Sequence, residues 1–163
     1  MDPFKFPKTR HIKINLDKIN PEIIQLFDNL GLHIFLAEVF YSRPFFVSGI
    51  HTDVKGGDIN KINWVFGGND SIMNWYAIKE GTTPTDVQQT VVGTPYIAYD
   101  SAAVHLEFSK TISNPCLVHV GVPHNICNAK EHRWCVSLVY HDKKSKKRPT
   151  MEEAKNIFRD YCL

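Results

Sequence analysis

The sequence predicts a mainly β domain, a mostly antiparallel sandwich with one helix before it and one after it. Three observations carry this. Short apolar or alternating runs succeed one another from His33 to Tyr140, turn residues divide them roughly every ten positions, and helical periodicity is confined to the two flanks. With 163 residues the chain has the length of a single domain, and no internal repeat or second domain is visible.

The first helix is expected over Asn20–Leu32. Asn20 is a good N-cap, Pro21 suits the first helical position, Ile23, Ile24, Phe27 and Leu30 share a face, and Gly31 ends the run. Strands are then expected near His33–Ser42, Phe45–Ile50, Lys61–Phe66, Ser71–Ile78, Val87–Val92, Tyr96–Tyr99, Val104–Phe108, Leu117–Val122 and Arg133–Tyr140. The turns between them are Lys55–Asp58, Gly67–Asp70, Gly81–Pro84, Gly93–Pro95 and Ser113–Pro115. A closing helix is expected from about Met151 to Tyr161, with Thr150 and Glu153 as a capping box and Ala154, Ile157, Phe158 and Tyr161 on its apolar face.

Composition excludes several classes. The chain is 43% hydrophobic and 12% aromatic, unlike a disordered or collagen-like polymer. No apolar run approaches the ~18 residues of a membrane-spanning helix. The net charge of +2 is too mild to mark a nucleic-acid binder. The one basic run, Lys143–Arg148, reads as a solvated connector before the last helix and leaves an anionic partner open. Met1–Pro7 has no apolar signal region. Cys116, Cys127, Cys135 and Cys162 form no C-x-x-C pair, so free thiols and a cytoplasmic location are expected.

Three segments bear on chemistry. An apolar run ends in His51-Thr52-Asp53 ahead of a glycine loop. In extended chain, residues two apart point to one side, so His51 and Asp53 can offer an imidazole and a carboxylate to one point. His-x-Asp alone is also what chance leaves at many strand ends. His124 follows an apolar strand after Gly121 and Pro123 and can supply a third ligand, completing a facial triad of the non-heme iron type. Arg133 comes nine residues later, on a strand whose Arg133, Cys135 and Ser137 share a face. A guanidinium turned into a sandwich interior needs an anion, and its planar fork suits a carboxylate.

His51-x-Asp53, His124 and Arg133, in this order on short strands, resemble the iron(II)- and 2-oxoglutarate-dependent dioxygenases. The 71-residue step from Asp53 to His124 and the nine-residue step to Arg133 suit that family. Ile62–Trp64 and Ser71–Tyr76 look like the strand pair after His-x-Asp in small, poorly characterised members, some of them from phages and bacteria. The resemblance spans about 34–140 and implies a double-stranded β-helix, the jelly-roll or cupin-like core. It implies Fe(II) held by His51, Asp53 and His124, and the distal carboxylate of 2-oxoglutarate paired with Arg133. The family often has Arg-x-Ser on that strand. Here Cys135 stands at the serine position and Ser137 one step further along the same face, so Tyr76 is the substitute hydroxyl candidate, with Asn63 toward the inner end of the cosubstrate.

The implied activity is hydroxylation of an unactivated C–H bond, with 2-oxoglutarate and O2 converted to succinate and CO2. Two other readings remain: a metal-binding cupin of different chemistry, and an inactive binding module on the same fold. The prime substrate is open among a protein side chain, a small molecule and a nucleobase. The short loops Lys55–Asn60, Gly67–Asp70 and Gly81–Asp86 are expected to frame the pocket mouth, which leans the reading toward a residue presented by a larger partner. His119 is expected to be a core histidine, turned away from His124. His11, His33, His105 and His132 draw no functional role.

Overall fold

The computed structural model describes residues 9–54, 56–112 and 115–161. The expectations placed on Met1–Pro7, Lys55, Ser113, Asn114 and Cys162 lie outside these residues. Strands β1 (Thr9–Ile14), β2 (Leu32–Ser42), β3 (Ile50–Asp53), β4 (Asn60–Phe66), β5 (Ile72–Ile78), β6 (Gln88–Gln89), β7 (Pro95–Tyr99), β8 (Val104–Thr111), β9 (Cys116–His119), β10 (His124–Cys127) and β11 (Arg133–Asp142) form two antiparallel sheets. One has the order β1-β2-β11-β4-β9, the other β6-β7-β3-β10-β5-β8. Apart from β1, β6 and β7, the strands alternate between sheets through β5, and from β8 onward they alternate again in mirror order.

Helix α1 (Pro21–Asn29) starts where Asn20 Oδ1 accepts the Glu22 N–H at 2.9 Å. Helix α2 (Met151–Ile157) starts at Thr150, whose hydroxyl accepts the Glu153 N–H while Glu153 accepts the Thr150 N–H. Both helices cover the outer face of the first sheet. Phe27, Ala154 and Phe158 pack there on Leu32, Ala37, Ile62, Leu138 and Tyr140. A second cluster, Val65, Met73, Ile112, Val118, Val120 and Cys135, lies with Phe40 and Trp75 against it. The side-chain period of two makes this division possible: Leu138 lies opposite Ala37 and Ile62 on the helix face, while Ser137 lies opposite Glu38 and Asn63 on the inner face.

Several boundaries differ from expectation. Phe45–Ile50 is not a strand. Phe45 has φ 58°, the chain turns, and Val47 alone bridges to Cys127 before β3 begins at Ile50. Val87–Val92 contracts to Gln88–Gln89 because Thr90 to Thr94 closes into a turn. The expected Leu117–Val122 strand stops at His119, because the Val120 and Gly121 N–H groups both donate to the Ile59 carbonyl. There Gly121 backs onto Gly57, and a Cβ would sit 1.8 Å from the Gly57 oxygen. Two strands had no expectation at all: β1, which extends the first sheet along β2, and β10, which His124 opens rather than follows. Helices α1 and α2 are each shorter than expected at their C-terminal ends.

In the basic run, Lys143 pairs with Asp28 at 2.7 Å and Arg148 donates to the Asn60 carbonyl. Cys127 and Cys135 are free thiols. Among the described residues no helix is long and apolar enough to cross a membrane.

Candidate metal centre

Strands β3 and β10 are neighbours in the second sheet, and His51 lies directly opposite His124 in their ladder. Asp53 is two residues along β3 and turns to the same side as His51. The ligand atoms of His51, Asp53 and His124 all lie within 4.8 Å of one another. The two rings are 4.5 Å apart between centroids, and His51 Nε2 is 3.6 Å from Asp53 Oδ1.

Both imidazoles are oriented by backbone. His51 Nδ1 is 2.9 Å from the Gly49 carbonyl and His124 Nδ1 is 2.9 Å from the Val122 carbonyl. A carbonyl oxygen only accepts, so each Nδ1 carries a proton, and Nε2 is the nitrogen left to face a ligand. Burial, with the neighbouring His51, pushes His124 down to about 4, although Asp53 pulls the other way. Burial raises the Asp53 carboxyl, but Lys61, His124 and His51 outweigh it and hold the group below its usual range. At neutral pH the cluster therefore offers a neutral His124 and an ionised carboxylate, the protonation states a metal requires.

The cavity in front of this cluster, about 540 Å³, is walled by both sheets. Sheet one contributes Arg133, Cys135 and Ser137 from β11 and Lys61 and Asn63 from β4, all on the inner face. Arg133 is 3% exposed, its Nε has no hydrogen-bond partner, and no carboxylate lies within ion-pair distance of it among the described residues. Cys135, two residues on along the same face, lies in the cavity wall with it, and burial raises its thiol pKa against the opposing pull of Arg133 and Lys61. Asn63 Oδ1 is a second buried polar atom with no partner. Gly68, at φ 58°, approaches so closely that a Cβ there would lie 2.8 Å from the Arg133 Cβ.

The structure thus brings His51, Asp53, His124, Arg133, Asn63 and Ser137 to one cavity. Tyr76 is not among them. It shares a sheet face with Asn74, opposite to the face of His124 and Trp75, and its hydroxyl donates to Asn125 Oδ1 at 3.1 Å. It lines a separate pocket beside Trp75 and Phe108. A second correction concerns the mouth. It is framed by Phe46–Ile50 and by Thr90–Tyr96, and among the described residues none from the three loops expected there lines it. The inference toward a partner-presented substrate rested on those loops. His119 is partly exposed, 3.6 Å from Asp58, and stands apart from the triad.

Sequence reasoning missed Lys61, Glu38, His11 and Thr94. Lys61 Nζ lies 2.7 Å from Asp53 Oδ2 and 3.3 Å from Glu38 Oε2, and Glu38 Oε1 takes Thr94 Oγ1 at 2.7 Å and His11 Nε2 at 3.1 Å. A signal was present: Glu38 and Lys61 are the single carboxylate and the single ammonium of strands β2 and β4, where an unpaired buried charge is costly.

No family model matches this chain, and no curated protein does. Among solved structures, a likeness of TM-score 0.39 and 9% identity links 86% of the chain to 70% of peruvianin-I, a cysteine peptidase from Thevetia peruviana latex. Another, of TM-score 0.33 and 15% identity, links 69% of it to 25% of pumpkin seed globulin. At these scores neither speaks to the chemistry of this chain. The site stands on its own geometry.

Proposed function

We propose that the chain is an Fe(II)- and 2-oxoglutarate-dependent oxygenase, a hydroxylase built on a double-stranded β-helix. The observation that carries this reading is Arg133: a buried guanidinium with an unpartnered Nε and, among the described residues, no carboxylate within ion-pair distance, lining the same cavity as a His-Asp-His cluster. Charge supports it. The buried ions around the cavity, Glu38 and Asp53 against Lys61 and Arg133, balance. A divalent cation would leave the cavity doubly positive, and a dicarboxylate cosubstrate restores neutrality, which a water-poor interior demands. The mirror-order alternation of eight strands between the two sheets supports the double-stranded β-helix.

The donor set fits the metal. Two imidazole Nε2 atoms and one carboxylate oxygen form a facial set with open positions, suited to Fe(II). When bound, iron with its cosubstrate supplies the oxidising power to attack a C–H bond. The residues of the chain supply the rest. His51 and His124 are fixed by backbone carbonyls, so they ligate without reorganising. Arg133 takes the distal carboxylate and thereby orients the 2-oxo end toward the triad. Asn63, with its unsatisfied oxygen and amide donors, and Ser137 line the same wall. Phe46, Ile50 and Ile126 limit water in the remaining space.

The deciding experiment is anaerobic titration of the apoprotein with Fe(II) and then 2-oxoglutarate, following the visible charge-transfer band of the chelate. A saturable band that is absent in Asp53→Ala is expected. Tight metal binding with no band would favour a cupin of other chemistry, and no metal binding a binding module.

A further inference from the structure

Lys61 enters the reading above only through its charge, yet it is 5% exposed and its ammonium spans two carboxylates. Its position follows from strand parity: it lies two residues from Asn63 on β4 and shares the inner face. Glu38, its partner on β2, is 0% exposed and is itself held on its other oxygen by Thr94 and His11. His11 is clamped in turn by stacking on Phe40 at 4.2 Å. Stability alone does not call for such an arrangement, because a hydrophobic pair of similar volume commonly holds two strands equally well.

What the arrangement does is divide the two oxygens of Asp53. Oδ1 faces His51 Nε2 at 3.6 Å, on the triad side, while Oδ2 is capped by Lys61 at 2.7 Å. A carboxylate with both oxygens free can ligate a cation through one or both. Ligation through both would occupy one further position of a six-coordinate metal. We propose that Lys61, held in place by Glu38, is a positioning residue that restricts Asp53 to a single ligating oxygen and so keeps three coordination positions open. The inference rests on the metal reading above, but not on the identity of the cosubstrate.

The test uses Mn(II) alone as probe and counts its exchangeable waters by water-proton relaxation in the full chain. About three are expected for the unaltered protein, the number a three-atom facial site leaves on a six-coordinate ion. Glu38→Gln combined with Lys61→Met removes the cap while leaving the net charge of the cluster unchanged, and about two waters are expected, since Asp53 can then close down on the ion. Lys61→Arg keeps a cationic donor and should return the count toward three. A merely structural role would lower Mn(II) affinity without changing the hydration of the ion that binds.

About two waters in the unaltered protein, or equal counts in it and the double variant, would overturn the inference while leaving the metal reading intact. No saturable Mn(II) binding by the unaltered protein would overturn both. Where the double variant does not fold, Lys61→Met alone is read in the same way, and about three waters on the ion it binds would overturn the inference.

Discussion

His51 and His124 are direct partners across the ladder joining β3 to β10, and it is the one register pair between those strands. A pair of imidazoles placed by a ladder inherits the rigidity of the sheet, and the Gly49 and Val122 carbonyls fix the ring orientations. His124→Ala should therefore abolish Fe(II) binding, measured by equilibrium dialysis, and leave the circular dichroism spectrum nearly unchanged. Retained stoichiometric binding would mean that the ligand set is wrong.

Arg133→Ala should spare the metal and weaken 2-oxoglutarate. Truncating one partner of a buried, hydrogen-bonded charge pair costs about 2–5 kcal/mol, which is roughly thirty- to several-thousand-fold in affinity. Arg133→Lys should rescue little, because a point charge does not reproduce the planar fork. Calorimetry on the metal-loaded protein measures both, and unaltered cosubstrate affinity in Arg133→Ala would remove Arg133 from the site.

Tyr76 and Cys135 make opposite predictions. The Tyr76 hydroxyl is engaged by Asn125 on the far face, so Tyr76→Phe should leave 2-oxoglutarate affinity unchanged. Cys135 lies in the cavity wall beside Arg133, with a weak S–H donor in place of a hydroxyl. Cys135→Ser should tighten the cosubstrate by about 1 kcal/mol, or roughly fivefold. The same titration applied to both variants checks the contrast.

Acid stability should report Glu38. Burial works to raise its pKa, but His11, Lys61 and Thr94 together hold it down at about 2, from an ordinary 4.5. The folded protein thus binds fewer protons here than the unfolded chain. Its contribution is fully present above about pH 4.5 and is lost as pH falls toward 2. The shift corresponds to about 3 kcal/mol. Denaturant unfolding between pH 7 and 2.5 should show a shallower decline in Glu38→Gln than in the unaltered protein, and parallel curves would contradict the pairing.

The capping box gives a prediction remote from the site. Thr150→Ala removes the acceptor for the Glu153 N–H at the start of α2 and should lower unfolding free energy by about 1 kcal/mol, with no effect on metal binding.

The residues nearest to chemistry were legible because their signals are local. The alternation of His51 with Asp53, and of Arg133 with Cys135 and Ser137, follows from the two-residue period of an extended chain, and the structure keeps both sets on the inner faces. The caps at Asn20 and Thr150 are local in the same sense. Tyr76 was misplaced for an equally specific reason. Tyr76 keeps the parity of Asn74 and so takes the face opposite to Trp75 and His124; which face of β5 meets the cavity is settled by its pairing with β10, which no residue of β5 signals.

By itself, the sequence determined a mainly β chain with two capped helices, and it determined which side chains share a strand face, since propensity, capping and parity act over a few residues. Only the tertiary structure decided which strands lie beside which. That choice placed His124 opposite His51 and brought Lys61 of β4 between Glu38 of β2 and Asp53 of β3. It also set the mouth at Phe46–Ile50 and Thr90–Tyr96. Pairing between distant strands is fixed by backbone hydrogen bonds and by the burial of whole faces, and those energies belong to the assembled sheets and to no short segment of the chain.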